Sequence, residues 1–151
     1  MAVGDFMKAS SKKTKRVSHP SKPTKTKILV IDDDSAVAEM LRNYLGGKRC
    51  FVVLSASTGG EGIQQAIEQM PDLILINTRL SDMNGLDVHE HLKQNSGTRA
   101  IPVIYISSFS SLRIIEQATK QGAKGFFMKP FTLSNIYTKM ASVLQMSQPV
   151  H

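Results

Sequence analysis

The sequence has a single cysteine, Cys50, so an internal disulfide is excluded. No apolar run approaches the roughly eighteen residues that a membrane-spanning helix needs. The basic N-terminal stretch lacks the apolar segment of a secretory signal peptide. These absences predict a cytoplasmic protein without a membrane span. Cys50 itself opens the apolar stretch CFVVLSA, which predicts a buried thiol on a strand.

Positive charge is concentrated at the N-terminal end. The 151 residues carry a formal net charge of +7, but residues 1–26 hold seven Lys or Arg side chains against one Asp. This segment is rich in Lys, Ser, Thr and Pro and nearly free of apolar residues, a composition that predicts disorder. We therefore predict a basic disordered tail over 1–26, one folded domain over 27–146, and a short C-terminal tail over 147–151.

From residue 27 onward, apolar runs of strand length alternate with segments of helical period. The strand candidates are KILVI, CFVVLSA, DLILI, IPVIYIS and AKGFFM, and a helix candidate follows each of them. Runs that are apolar on both faces are typical of parallel strands covered by helices on either side. Right-handed crossovers then give a doubly wound α/β fold with a five-stranded parallel sheet.

Polar residues follow four of these strands. Asp32 and Asp33 follow the first, Asn77 ends the third, Ser107 ends the fourth, and Lys129 follows the fifth. Ligands of such sheets bind at the carboxyl ends of the strands, so these side chains form the candidate site. Two carboxylates crowded at one strand end repel each other, and a hard cation such as Mg²⁺ relieves that repulsion.

In this order the segments ILVIDDD, PDLILIN, MNG, PVIYIS and GAKGFFMKPF resemble the receiver domains of bacterial response regulators, the CheY-like family. The resemblance covers residues 27 to about 146. It implies a flavodoxin-like sheet with strand order 2-1-3-4-5. It also implies two-component signalling, in which a histidine kinase phosphorylates an Asp at the end of the third strand beside a bound Mg²⁺.

The resemblance assigns roles to seven positions. It implies that the ligands of Mg²⁺ are Asp32, Asp33, Asn77 and the backbone carbonyl of Arg79. It also implies that Ser107 and Lys129 contact the phosphoryl group, and that Phe126 is the aromatic switch. A cis bond before Pro130 is expected as well. Ser81 stands where the family usually has a proline, which leaves the shape of that loop open.

Asn77 stands where the family has its phospho-accepting Asp. An amide matches a carboxylate in shape, but it is uncharged and its oxygen is a poor nucleophile, so it cannot form the acyl phosphate. We therefore expect a chain that does not accept phosphate and binds Mg²⁺ weakly. Both a natural Asn and an Asp→Asn change introduced into an ordinary receiver fit the sequence, because the other pocket residues are intact.

Three kinds of function compete. The first is a protein-interaction module that uses the face of the fourth helix, fifth strand and fifth helix, with a histidine kinase among its partners and a monomer or weak dimer as its state. The second is nucleic-acid binding through the Lys-rich residues 8–27, which would be steeply salt-dependent. The third, an enzyme, is disfavoured because the pocket has no nucleophile–base pair.

The four histidines show no metal-ligand spacing and are predicted to be surface or incidental residues. They are His19, His89, His91 and His151.

Overall fold

A computed structural model describes residues 25–46, 50–109 and 111–145. Most of the predicted N-terminal tail lies outside these residues, so the nucleic-acid alternative stays a prediction. The last residue of the predicted tail, Thr26, is also the first residue of the first strand. His19 and His151 also lie outside the described residues.

Within these described residues, five strands alternate with five helices. The strands are β1 (Thr26–Ile31), β2 (Phe51–Ala56), β3 (Leu73–Asn77), β4 (Val103–Ser107) and β5 (Gly125–Met128). The helices are α1 (Ala36–Leu45), α2 (Gly59–Gln69), α3 (Gly85–Gln94), α4 (Leu112–Lys120) and α5 (Leu133–Val143).

The strands form one parallel sheet in the order β2-β1-β3-β4-β5. This confirms the predicted doubly wound fold and its strand order.

The alternation of side chains along the strands divides the core into two layers. Ile28 and Val30 of β1 face one side of the sheet, where they pack with residues of α1 and α5. Leu29 and Ile31 face the other side and pack with residues of α2, α3 and α4. The central strands β3 and β4 are buried along their whole length, as the continuous apolar runs predicted.

Cys50 corrects one expectation, because it is exposed and precedes β2 rather than lying within it. The first residue of β2 that pairs with β1 is Phe51, opposite Thr26. Among the described strands β2 pairs only with β1, so it is an edge strand and its first residues are only half-buried. The terminal residue of an apolar run is therefore less buried when the run forms an edge strand than when it forms a central strand.

The parallel register brings the polar strand ends together. Ile31 lies beside Ile76, so Asp32 and Asn77 follow as neighbours at the carboxyl edge of the sheet. Ser107 lies beside Met128, so Lys129 enters the same edge from β5. These side chains are far apart in sequence, and the sheet register alone is enough to make them neighbours.

The loop from β3 to α3 is held by its own hydrogen bonds, with Ser81 in place of the proline that the family resemblance led us to expect. Arg79 and Asn84 form an isolated antiparallel bridge, and the Leu80 amide donates to the Met83 carbonyl at 3.1 Å. Asp82 reaches across to the first turn of α2 and accepts hydrogen bonds from two backbone amides there, at 2.8 and 2.9 Å. The loop thus has its own hydrogen bonds to fix the backbone next to Asn77.

Candidate functional site

Asp32 is the buried acid at the centre of the strand-end cluster. Its side chain accepts hydrogen bonds from the Asp34 backbone amide at 3.1 Å, from Asn77 Nδ2 at 3.1 Å and from Lys129 Nζ at 2.7 Å. Burial raises the pKa of Asp32 above its ordinary value of 3.8, and the Asp33 side chain raises it further. The bonds from Lys129 and from the Asp34 amide oppose that rise in the pKa.

Asn77 closes the cluster from the end of β3. Its residue is buried, with 8% of its surface exposed, and its Nδ2 donates to two oxygens, Asp32 Oδ1 at 3.1 Å and the Arg79 carbonyl at 2.8 Å. Both oxygens belong to residues that the sequence predicted as metal ligands. The amide therefore supplies two N–H donors where a carboxylate would supply only acceptors.

Lys129 supplies the positive charge of the site. It forms an ion pair with Asp32, and its side chain is 20% exposed, while that of Asp32 is 1% exposed. The Lys129 amide donates to the Ser107 carbonyl, and the following Lys129–Pro130 peptide is cis, as the resemblance implied. The structure thus places Lys129 beside Asp32 and at the edge of the pocket, where solvent reaches it.

Ser107 reaches the same edge of the sheet, but its hydroxyl contacts other groups. Its Oγ lies 2.6 Å from Thr78 Oγ1, donates to the Phe109 carbonyl and accepts from the Phe109 amide at 3.1 Å. Neither the apolar pattern nor the family resemblance predicted a role for Thr78, which follows Asn77. The β3–β4 register explains the contact, because Asn77 lies beside Ile106 and the next residues on each strand are Thr78 and Ser107.

The Arg79 side chain and the Phe109 ring form a second link between the loops. The guanidinium carbon lies 5.0 Å from the ring centroid, which is cation–π geometry. Both residues are exposed, and Phe109 retains 55% of its accessible surface. The two loops that flank the strand ends therefore meet through both a buried hydroxyl pair and an exposed ring contact.

Phe126 lies in β5 opposite Tyr105 of β4, and the two rings stack with centroids 5.8 Å apart and an interplanar angle of 14°. It is half-buried. The structure places this predicted switch residue against Tyr105, whereas the β5 residue beside Ser107 is Met128. Its role as a switch stays a prediction.

Comparison with known proteins identifies the family. The family model described as the response regulator receiver domain matches residues 28–141, which is most of the chain. The chain belongs to the receiver domains of response regulators. It is 32% identical over 117 residues to the transcriptional regulatory protein ZraR of Escherichia coli K12, covering 78% of this chain and 26% of that protein.

A second relative is the DNA-binding response regulator MtrA of Mycolicibacterium paratuberculosis, at 30% identity over 119 residues. The match covers 79% of this chain and 51% of that protein. This receiver domain therefore spans about half the length of MtrA and about a quarter of ZraR.

Solved structures share the fold. A CheY-like receiver domain protein from Methanospirillum hungatei superposes with a TM-score of 0.72 at 25% identity, covering 81% of this chain and 95% of that one. CheY4 of Vibrio cholerae gives a TM-score of 0.73 at 21% identity, covering 80% and 99%. Receiver domains act in two-component signalling, where they interact with kinases and effector domains and bind Mg²⁺ at an acidic pocket.

The acidic pocket of this receiver domain has oxygen ligands, which suit Mg²⁺, but it has few of them. Asp32, the exposed Asp33 and the Arg79 carbonyl would hold the ion through hard oxygens, which Mg²⁺ prefers. When bound, the ion would neutralise negative charge at the strand ends. Within the described residues, no group of three or more His, Cys, Asp or Glu side chains is arranged to hold a metal. The pocket contributes two carboxylates, Asp32 and Asp33, which is fewer than such a group needs.

A buried polar network lies on the α3 and α4 side of the sheet, and the sequence did not predict it. His89 Nδ1 lies 3.0 Å from the Tyr105 hydroxyl, which is also 3.2 Å from Gln121 Oε1. His89 was predicted to be a surface or incidental residue, and the surface alternative is wrong, because only 5% of it is exposed. Burial lowers the pKa of His89 to about 4, so the ring is neutral at pH 7.

In the described part of the chain, no helix is both long and apolar enough to cross a bilayer.

Proposed function

We propose that this receiver domain does not accept phosphate and works as a protein-binding module whose state is set by its partner. The observation that carries the proposal is Asn77. It lies at the end of β3 beside Asp32, at the position to which the family resemblance assigns the acceptor Asp, and its Nδ2 makes hydrogen bonds to Asp32 and to the Arg79 carbonyl. Acyl phosphate formation requires a carboxylate oxygen as the nucleophile, and Asn77 has none.

Asp32, Asp82 and Asp72 are poor substitutes for the acceptor. Asp32 is already bound to Lys129 and Asn77. Asp82 accepts hydrogen bonds from the first turn of α2, and Asp72 accepts one from the Lys27 amide at the opposite end of the sheet. Phosphorylation of Asp82 or Asp72 would therefore not place a phosphoryl group next to Lys129.

The same geometry supports weakened Mg²⁺ binding. Mg²⁺ needs several oxygen ligands, whereas the Asn77 amide points two N–H groups at oxygens that the ion would use. Before the ion can bind, the amide has to turn its oxygen toward the pocket and give up both hydrogen bonds. Even then the ligand is neutral, so the attraction for a divalent cation is smaller than with Asp.

The binding face that we propose is formed by α4, β5 and α5. Leu112 in α4 is 72% exposed and Met128 in β5 is 46% exposed, so both leave apolar surface on these elements. Within the described sheet β5 is an edge strand, which pairs only with β4. A cytoplasmic partner that prefers one arrangement of this face would shift the population of the receiver domain without phosphate. We do not propose an enzymatic activity, because the described residues of the pocket contain no nucleophile–base pair.

Intact-mass spectrometry with acetyl phosphate and Mg²⁺ tests the proposal. The full chain and its Asn77→Asp variant are incubated side by side, and a parallel sample of each contains EDTA. We expect one added phosphoryl group in the Asp variant, only with Mg²⁺, and none in the unaltered chain. Phosphorylation of the unaltered chain would overturn the proposed block. Absence of phosphorylation in a folded Asp variant would show that the pocket is not a receiver pocket of the proposed kind.

A further inference from the structure

The hydroxyl groups of Thr78 and Ser107 form a buried pair across the ends of β3 and β4. Their oxygens are 2.6 Å apart, and the two residues are 4% and 1% exposed. The neighbouring pocket residues Asn77 and Lys129 are bonded to Asp32 instead. Ser107 is thus held at the side of the pocket by a residue to which neither the family resemblance nor the motifs assigned a role.

The hydrogen-bonding capacity of the Ser107 hydroxyl is fully used. A serine hydroxyl has one donor and two acceptor positions. Ser107 donates to the Phe109 carbonyl and accepts from the Phe109 amide, which leaves one acceptor position for Thr78. The Thr78 hydroxyl is the partner at that remaining position. For Ser107 to turn toward Asn77, it has to break bonds that it already makes.

Thr78 cannot easily move with Ser107, because its backbone is held on both sides. Its amide donates to the Ile106 carbonyl at 3.1 Å, and its carbonyl accepts from the Gly85 amide at 2.8 Å. A Cβ atom at Gly85 would lie 2.4 Å from the Asn77 carbonyl oxygen, so the chain packs tightly there. The Thr78 backbone is thus fixed relative to the sheet, and it places the Thr78 hydroxyl beside Ser107.

We propose that Thr78 is a positioning residue that holds Ser107 away from Asn77 and thereby stabilises the resting arrangement of the β4–α4 connection. This inference rests on the proposed function, in which no phosphoryl group draws Ser107 into the pocket. In the alternative arrangement the Ser107 hydroxyl is turned toward Asn77, and a partner that requires it has to break the Thr78–Ser107 bond. The contact between Arg79 and Phe109 holds the same connection from the solvent side.

The test uses three variants of the full chain at position 78. Thr78→Val keeps the shape of the side chain but has no hydroxyl, Thr78→Ala also lacks the hydroxyl, and Thr78→Ser keeps it. Because Ser107 retains its bonds to Phe109, removal of the Thr78 hydroxyl leaves Ser107 with partners. Backbone NMR relaxation dispersion then reports the population of the alternative arrangement at the amides of Ser107, Phe109 and Phe126.

We expect the Val and Ala variants to populate the alternative arrangement about fivefold more than the unaltered chain, as for the loss of one neutral buried hydrogen bond. The Ser variant should match the unaltered chain. Unchanged dispersion in both variants without a hydroxyl would overturn the proposal, and so would a Ser variant that behaves like Val.

The experiment separates this inference from the proposed function, because it uses no phosphodonor and retains Asn77. Phosphorylation of the unaltered chain by acetyl phosphate would refute the proposed function but leave the Thr78 measurement interpretable. Conversely, dispersion that does not depend on the hydroxyl at position 78 would refute the positioning role and leave the phosphorylation block intact.

Discussion

Replacing Asn77 with Asp should destabilise the metal-free chain. The Asn77 Nδ2 lies 3.1 Å from Asp32 Oδ1 and 2.8 Å from the Arg79 carbonyl oxygen, so the variant would place a carboxylate oxygen against two acceptors. Loss of a hydrogen bond to a charged group costs about 1.5–3 kcal/mol. Two carboxylates whose charges are about 5 Å apart repel by about 3 kcal/mol at an effective dielectric of about 20.

These two costs do not add in full, because rotation of the new carboxylate reduces both of them. Lys129 also remains paired with Asp32, which weakens the repulsion. We therefore expect a net loss of about 2–4 kcal/mol in the free energy of unfolding at pH 7, estimated from these hydrogen-bond and Coulomb terms. Since small proteins lose about 1–3 kcal/mol of stability per molar urea, the unfolding midpoint should fall by about 1–2 M.

Urea unfolding in EDTA and in Mg²⁺ measures both parts of this prediction. Mg²⁺ should restore much of the stability of the Asp variant and change that of the unaltered chain little. Asn77→Ala is the matched control, because it removes the amide without adding charge and should show no gain with Mg²⁺. Equal midpoints for the Asp variant and the unaltered chain, with equal responses to Mg²⁺, would refute the electrostatic reasoning.

Two further predictions concern groups outside the pocket. Because burial lowers the pKa of His89 from 6.5 to about 4, the unfolded chain binds a proton that the folded chain does not, and stability should fall by about 2 kcal/mol between pH 7.5 and pH 5. Urea melts should show that His89→Gln removes this part of the pH dependence, whereas the exposed His91→Gln on the same helix keeps it. The amides of Gly60 and Gly59 lower the pKa of Asp82 from 3.8, so its stabilising bonds should persist above pH 3.8 and be lost as the pH falls through the lowered value. Asp82→Ala should speed hydrogen exchange at both glycine amides at neutral pH, and unchanged protection would show that this carboxylate does not hold the loop.

The strand-end residues could be predicted because a parallel sheet imposes its own geometry. Apolar runs gave the strands, and the register then made neighbours of Asp32, Asn77 and Lys129. The carboxylates that follow β1 also predicted an acidic, cation-binding pocket.

The orientation of side chains at the same edge could not be predicted from these patterns. Ser107 was correctly placed at the end of β4, but its contact with Thr78 depends on the β3–β4 register and on side-chain rotation. The burial of His89 was missed for a similar reason. A histidine in an amphipathic helix is buried only if a polar partner such as the Tyr105 hydroxyl lies within reach, and that partner comes from another strand.

The carboxamide of Asn77 can be observed directly by ¹⁵N–¹H NMR of the full, unaltered chain. We predict that both Nδ2 protons exchange slowly with water, because they are donated to Asp32 and to the Arg79 carbonyl in a buried site. Their signals should persist after addition of acetyl phosphate and Mg²⁺. Exchange as rapid as that of an exposed asparagine, or loss of these signals together with the addition of a phosphoryl group, would contradict the account.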